Sequence, residues 1–231
     1  YASGTSLLLG EVLKDAGIPD GVYNVITGYG SEIGNHLVTN RNIKMVSFTG
    51  STENGKVVME SASKSLKKVS LELGGKSPII IFSDCDIDKA SDAVIAGFVD
   101  NAGQCCIATS RLLAQKSIYS DLIEKITSKL KKMDFQQSLA TSFQFNKVKA
   151  FLDRAKRIPE LHIVGGEIDP KRQYIAPAII NYHDIDHEIY KEELCISPIP
   201  SLAVHFTNVN SIFGLSPNTD WKKLWEENKV K

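Results

Sequence analysis

Apolar and polar positions alternate along the first seventy residues with periods that predict helices and strands in turn. Residues 5–16 repeat apolar side chains at helical spacing, and Glu11, Lys14 and Asp15 occupy the opposite face. The pattern then predicts strands at 22–26, 44–48 and 69–73, and helices at 33–38 and 56–64. Because strands and helices alternate, we expect a parallel sheet with helices on its faces.

The same alternation continues through the second part of the chain. It predicts strands at 78–82, 111–115, 162–166 and 174–180, and helices at 87–99, 118–133 and 146–158. The acidic run 84–88 lacks the Gly and the terminal Glu of a calcium loop, so we interpret it as the cap of the helix that follows. Residues 211–231 have the pattern of a short, exposed amphipathic tail.

Composition excludes some classes of function. The 231 residues are 42% hydrophobic, which is enough for one or two domains with cores. Because 27 basic residues balance 27 acidic ones, bulk charge gives no support for binding to nucleic acid or to a membrane. No apolar run is long enough to span a bilayer, and we expect no signal peptide. The first residue is Tyr1 rather than Met, so we expect a fragment or a processed product.

Four cysteines are present, without Cys-x-x-Cys spacing, which favours a reducing, cytoplasmic setting. Two of them, Cys105 and Cys106, follow Gly103 between a helix-like and a strand-like run. Backbone dipoles at such a junction can stabilise a thiolate. The alternative is that these thiols only pack in the interior, and the segment considered by itself favours packing.

A carboxylate, Glu72, lies inside an apolar strand pattern directly before Gly74 and Gly75. Burial would raise its pKa and make it a candidate general base. The alternative is an edge strand whose Glu points to solvent.

Gly-containing turns that open helices are candidate phosphate sites, because free N–H groups and the helix dipole attract anions. The spacing of Gly28, Gly30 and Gly34 is a weak signal, since Gly-rich turns are common, and the segment 48–52 is a stronger one. His183 and His187, with carboxylates between them, could hold a metal, although a solvated loop is favoured there.

Segments 71–78 and 103–106, about thirty residues apart, resemble the Glu and Cys signatures of the aldehyde dehydrogenase superfamily. The resemblance extends from about Thr5 to Glu193 and weakens beyond Val204. It implies that an aldehyde is oxidised to a carboxylic acid while NAD or NADP is reduced. Cys106 would be the nucleophile that carries a thiohemiacetal and then a thioester, and Glu72 would activate water as general base.

The resemblance also implies a fold, a set of binding residues and partners. The fold would be α/β: a partial Rossmann-like parallel-sheet cofactor domain at 1–73, a partial α/β catalytic domain at 74–210, and a divergent tail at 211–231. The residues implied in cofactor binding are Gly30, Gly34, Thr49, Gly50, Ser51, Leu73 and Glu193. No metal is implied. The substrate would be a small aldehyde, and the subunit, about twice this length, would form homo-oligomers.

The chain departs from the family pattern at several positions. Asn54 replaces an aliphatic residue that would pack on the adenine, Cys195 replaces a Phe, and Ile196-Ser197 replaces a Gly-Pro. The connection 134–138 is also shortened. Two alternatives to the dehydrogenase therefore remain. One is a truncated, non-catalytic scaffold or interaction protein, and the other is a transferase or hydrolase that uses Cys106 and Glu72 without a nucleotide.

Overall fold

A computed structural model of the chain describes residues 3–181 and the backbone of residues 201–207. The chain forms two compact units, Tyr1–Leu73 and Gly74–Lys231. Each unit has helices and a parallel arrangement of strands, so the prediction of an α/β fold is confirmed.

The first unit is built around a βαβ segment. Its described elements are α1 (Ser3–Asp15), a π-helical turn (Gly30–Gly34), α2 (Asn35–Thr39), β1 (Met45–Gly50), α3 (Thr52–Ser63) and β2 (Lys68–Leu73). Strands β1 and β2 are parallel, and α3 connects them. A side chain at Gly55 of α3 would place its Cβ 2.6 Å from Cδ2 of Leu73, so α3 lies very close to β2 at this point.

One predicted strand of the first unit is absent. Residues 22–26 form bends and irregular backbone, and Val22 and Ile26 are 70% and 63% exposed. A strand is stabilised by hydrogen bonds to a neighbouring strand, and in the described part of this unit only β1 and β2 are paired. The apolar run therefore lacks the partner that would make it a strand.

The second unit contains a five-stranded sheet with helices on both faces. Its main elements are β3 (Ser77–Ile81), α4 (Ile87–Val99), β4 (Thr109–Gln115), α5 (Tyr119–Leu130), α6 (Ser142–Ala155), β5 (His162–Gly165), β6 (Ile168–Asp169), β7 (Tyr174–Ile175), β8 (Ala178–Asn181) and β9 (Ser201–Thr207). The strand order is β3-β4-β9-β8-β5. The pairs β3-β4, β4-β9 and β9-β8 are parallel, and β5 is antiparallel to β8.

Two hydrophobic clusters cover the two faces of this sheet. The first cluster contains Ile95 and Phe98 of α4, Leu122 of α5 and Ile179 of β8. The second cluster packs α6 against Ala178 and Ile180 of β8. Because successive side chains of a strand point to opposite faces, β8 contributes to both clusters, and the sheet forms the middle of three layers.

Most boundaries follow the sequence pattern, and the differences have local causes. Helix α6 begins at Ser142 rather than 146, because the Thr141 side chain caps it by accepting the N–H of Gln144. The predicted strand at 174–180 is split into β7 and β8, with Pro177 between them, a residue that cannot donate to a ladder. The acidic run caps α4 as predicted, since Asp86 accepts the N–H groups of Asp88 and Lys89.

Several predictions fall outside the described residues: the histidine pair 183–187, Glu193, Cys195 and the tail 211–231. Among the described residues, every helix is too short or too polar to cross a bilayer. The same residues contain no cluster of three or more His, Cys, Asp or Glu side chains that could hold a metal.

Candidate active site

The segment 100–108, here named the cysteine turn, connects α4 to β4 in an unusual backbone conformation. Three consecutive residues, Asn101, Ala102 and Gly103, have positive φ angles of 51°, 55° and 73°. Gly adopts this region freely and Asn adopts it more readily than most residues, whereas for Ala it costs roughly 1–2 kcal/mol. Strain of this kind persists only where the surroundings enforce it, and it is often found at functional sites.

The cysteine turn presents its two thiols differently. Cys106 is exposed and Cys105 is half-buried, while Ile107 beside them is 77% exposed. The N–H of Ala108 donates to the carbonyl of Cys105 over 3.1 Å, which closes the turn directly before β4. Of the two thiols, Cys106 is therefore the more accessible to a small molecule.

A third described thiol, Cys85, is a poor candidate nucleophile. Burial raises the pKa of the Cys85 thiol, and the neighbouring carboxylates of Asp84 and Asp86 act in the same direction. A thiol with a raised pKa contributes little thiolate at neutral pH. Its position before α4 also separates it from the cysteine turn.

Hydrogen bonds from a distant segment hold the beginning of the cysteine turn. Within the turn, Nδ2 of Asn101 donates to the carbonyl of Gln104, and Nε2 of Gln104 donates to the carbonyl of Asn101, both over 3.0 Å. From outside, Nε2 of Gln137 donates to Oδ1 of Asn101 over 2.6 Å, and the N–H of Ala140 donates to Oε1 of Gln104 over 2.9 Å. The sequence analysis did not identify Gln137 or Ala140, because each lies 36 residues from its partner.

Four of the predicted cofactor residues, Thr49, Gly50, Ser51 and Leu73, meet at the carboxyl ends of β1 and β2. Thr49 is paired with Glu72, and Gly50 is paired with Leu73. Ser51 follows and caps α3, since its Oγ accepts the N–H of Asn54 over 3.2 Å. Ligands of parallel sheets commonly bind at this edge, and the N-terminus of a helix attracts phosphate.

Glu72 does not have the buried environment expected from its apolar neighbours. Its side chain is exposed. Leu73 contacts α3 at Gly55, so the alternation of side chains along β2 directs Glu72 to the opposite face of the strand. The expected burial is therefore wrong, and a solvent-facing carboxylate at the end of a strand, the alternative noted above, is what the structure has.

Gly30 and Gly34 bound the π-helical turn before α2. A Cβ built at either residue would meet no heavy atom within 4 Å, so the backbone is open on that side. The seventh predicted binding residue, Glu193, lies outside the described residues.

Chemistry-bearing residues are thus grouped within each unit. Thr49, Gly50, Ser51 and Glu72 lie together at one end of the β1–β2 pair in the first unit. Cys106 lies in the second unit, at the junction of α4 and β4.

Comparisons with known proteins identify the family. The profile of the aldehyde dehydrogenase family matches residues 1–207, further than the resemblance noticed in the sequence. Aldehyde dehydrogenase family 2 member C4 of Arabidopsis thaliana is 37% identical over 228 residues, which cover 94% of this chain and 45% of that protein. The chain therefore spans about half the length of the curated relatives it matches.

Solved structures agree in fold. The crystal structure of an NAD-dependent aldehyde dehydrogenase from Sinorhizobium meliloti superposes with a TM-score of 0.84 at 37% identity, covering 92% of this chain and 44% of that one. Betaine aldehyde dehydrogenase from Staphylococcus aureus, solved in complex with NAD+, gives a TM-score of 0.80 at 31% identity, covering 90% and 44%. The chain belongs to the aldehyde dehydrogenase family.

Proposed function

We propose that the chain is the part of an aldehyde dehydrogenase that carries its nucleophile, Cys106, its general base, Glu72, and residues that hold NAD or NADP. The reaction is the oxidation of an aldehyde to a carboxylic acid. The observation that carries the proposal is the exposed Cys106 thiol in a strained turn, in a chain whose family is established. Because the chain spans about half the length of its curated relatives, its own turnover is the point that an experiment has to test.

Cys106 acts first in the proposed mechanism. Its thiolate attacks the carbonyl carbon, a C–S bond forms, and the π electrons of the carbonyl move to oxygen as a thiohemiacetal oxyanion. The backbone N–H of Cys106 itself is the donor proposed for the developing charge. Exposure of Cys106 allows a substrate to reach it, whereas the half-buried Cys105 is less accessible.

The first unit contains residues suited to hold a dinucleotide. The positive end of the helix dipole at the start of α3, where Ser51 is the cap, suits a pyrophosphate, and Thr49 and Gly50 end the preceding strand. The open backbone at Gly30 and Gly34 suits close approach by a ligand. Bound NAD or NADP would supply the acceptor for the hydride that leaves the carbon attached to Cys106, and Cys106 would then carry a thioester. The replacement at Asn54 is expected to weaken binding on the adenine side.

Glu72 acts in the second half of the reaction. Hydrolysis of the thioester needs a water molecule from which a proton is removed as its oxygen attacks the acyl carbon. The C–S bond then breaks, the acid leaves, and the thiolate of Cys106 is restored. An exposed carboxylate remains accessible to water, and Glu72 is paired with Thr49, one of the residues proposed to hold the cofactor.

The decisive experiment measures NADH formation from an aldehyde by the chain, with Cys106→Ala and Cys105→Ala compared. We expect turnover that is lost in Cys106→Ala and largely kept in Cys105→Ala. Calorimetry with NAD, in the absence of aldehyde, tests the binding residues separately. Absence of both turnover and NAD binding would defeat the proposal for this chain. Thioester hydrolysis without a nucleotide would instead favour the transferase or hydrolase.

A second candidate function is a non-catalytic scaffold. The observation that favours it is α1, which has no buried residue and exposes Leu7, Leu8, Leu9 and Val12 by about half. Exposed apolar side chains that lie close together are typical of interaction sites. Small-aldehyde substrates, assembly into homo-oligomers and a cytoplasmic setting belong to the dehydrogenase proposal and remain predictions.

A further inference from the structure

The structure raises the question of what fixes the choice between two adjacent thiols. Cys105 and Cys106 have similar intrinsic chemistry, and a rotation of the turn by one residue would exchange their positions. In the structure Cys106 is exposed and Cys105 is half-buried. This difference depends on the backbone that precedes them, in which Asn101 and Ala102 are both left-handed.

Left-handed alanine is a rare conformation, and the sequence of the turn does not explain it. Gly103 needs no support at a φ of 73°, and Asn101 is of a residue type that tolerates the region. Ala102 has neither advantage. A turn with Ala102 in this conformation requires contacts that would be lost if the backbone relaxed.

The side chain of Gln137 supplies such a contact. Its Nε2 donates to Oδ1 of Asn101 over 2.6 Å, while Nδ2 of the same Asn101 amide donates to the carbonyl of Gln104. The Asn101 amide is therefore engaged at both ends. Relaxation of Asn101 or Ala102 would rotate this amide and break the bond to Gln137. The bond from Ala140 to Gln104 connects the same two segments.

We propose that Gln137 is a positioning residue, which holds the left-handed turn at Asn101 and Ala102 so that Cys106, rather than Cys105, is presented to a substrate. The inference rests on the proposed function, in which Cys106 is the nucleophile. Gln137 touches no reacting atom in this account and acts through Asn101.

A matched pair of variants tests the inference. Gln137→Met keeps the length of the side chain and removes the amide, and a cavity of about 190 Å³ beside Gln137 provides room for it. Gln136→Met is the control. Gln136 lies next to Gln137, and its side-chain amide bonds to Asp134 and to the distant Arg172 rather than to Asn101. Neither position is buried, so both variants are expected to fold.

The measurement is the rate of iodoacetamide alkylation at each thiol, resolved by peptide mass spectrometry without aldehyde or nucleotide. We expect Cys106 to react faster than Cys105 in the unaltered chain. In Gln137→Met the ratio of the two rates should fall about fivefold, the factor that corresponds to one lost hydrogen bond. In Gln136→Met it should not change. Adding Ala102→Gly to Gln137→Met should restore part of the ratio, because Gly adopts the left-handed conformation without the steric cost that Ala has there.

Two outcomes would overturn the inference. One is an unchanged ratio of Cys106 to Cys105 rates in Gln137→Met. The other is a similar acceleration of Cys105, Cys106 and the remote Cys85, which would indicate general loosening rather than local positioning. Because the assay needs no catalysis, a chain without turnover still tests the role of Gln137, and turnover with an unchanged ratio would leave only the proposed function standing.

Discussion

Thr49 and Glu72 lie side by side across the parallel β1–β2 pair, one residue before each strand ends. The carboxylate is exposed, and the residue after β1 is Ser51, the cap of α3. A candidate base and a candidate phosphate site therefore share one edge of the first unit. This relationship leads to separate expectations for Glu72 and for Ser51.

Glu72→Gln should slow thioester hydrolysis while leaving hydride transfer intact. We expect steady-state kcat to fall by about 10²–10³-fold, within the range for loss of a general base. The first turnover should still give a burst of NADH, because Cys106 is unchanged. Stopped-flow absorbance distinguishes the two phases. Glu60→Gln, on the exposed side of α3, is the control and should behave like the unaltered chain. Full steady-state activity in Glu72→Gln would exclude the carboxylate as the base.

Ser51→Ala should affect both stability and cofactor binding. Loss of the cap, which accepts the N–H of Asn54, should lower the free energy of unfolding by about 1 kcal/mol. NAD affinity should also fall, because the start of α3 becomes less well ordered. Thr141→Ala removes the equivalent cap of α6 in the second unit and should reduce stability without weakening NAD binding. Urea unfolding and calorimetry measure the two effects. Equal NAD affinity in Ser51→Ala and Thr141→Ala would contradict the phosphate role of Ser51.

Tyr119 should make the second unit sensitive to alkaline pH. Burial raises the pKa of Tyr119 from 10.0 to about 12. Below pH 10 the phenol is protonated in both the folded and unfolded states, so its contribution is fully present. Between about pH 10 and 12 the unfolded state loses the proton first, and the free energy of unfolding declines.

Tyr119→Phe should therefore flatten the loss of stability between pH 10 and 12, which urea titrations at a series of pH values would record. Tyr29→Phe is the comparison, because it makes the same chemical change at a tyrosine that is 61% exposed. If the free energy of unfolding declines equally with pH in the Tyr119→Phe variant and in the unaltered chain, Tyr119 does not cause the loss of stability at alkaline pH.

The local sequence pattern was sufficient to predict an element where residues within that element determine its bounds. Helix α4 has the predicted bounds, 87–99, because Asp86 caps it and its apolar face repeats at helical spacing. The strand β2 differs from the prediction by a single residue, since its run of alternating apolar residues is short and bounded by charge and Gly. Caps and apolar periodicity depend only on residues that are close in the sequence, so the sequence alone is enough to predict them.

Features set by distant partners could not be predicted in the same way. The apolar run 22–26 has the composition of a strand, but pairing decides whether a strand forms. Glu72 has apolar neighbours, but the face of β2 on which it lies follows from the packing of α3 on Leu73. Gln137 carries no sequence signal, because its relation to Asn101 exists only after the chain has folded.

The two ends of the cysteine turn differ in how they are anchored. Beyond Cys106 the chain enters β4, which is hydrogen-bonded to β3 on one side and to β9 on the other. That end can open only when the sheet itself comes apart, a global event. The beginning of the turn is held by the side-chain amides of Asn101 and Gln137, which lie near solvent. These hydrogen bonds can therefore open locally while β4 stays paired. Local opening of the turn would then pivot at the start of β4. Cys106, which lies near that pivot, would move less than Asn101.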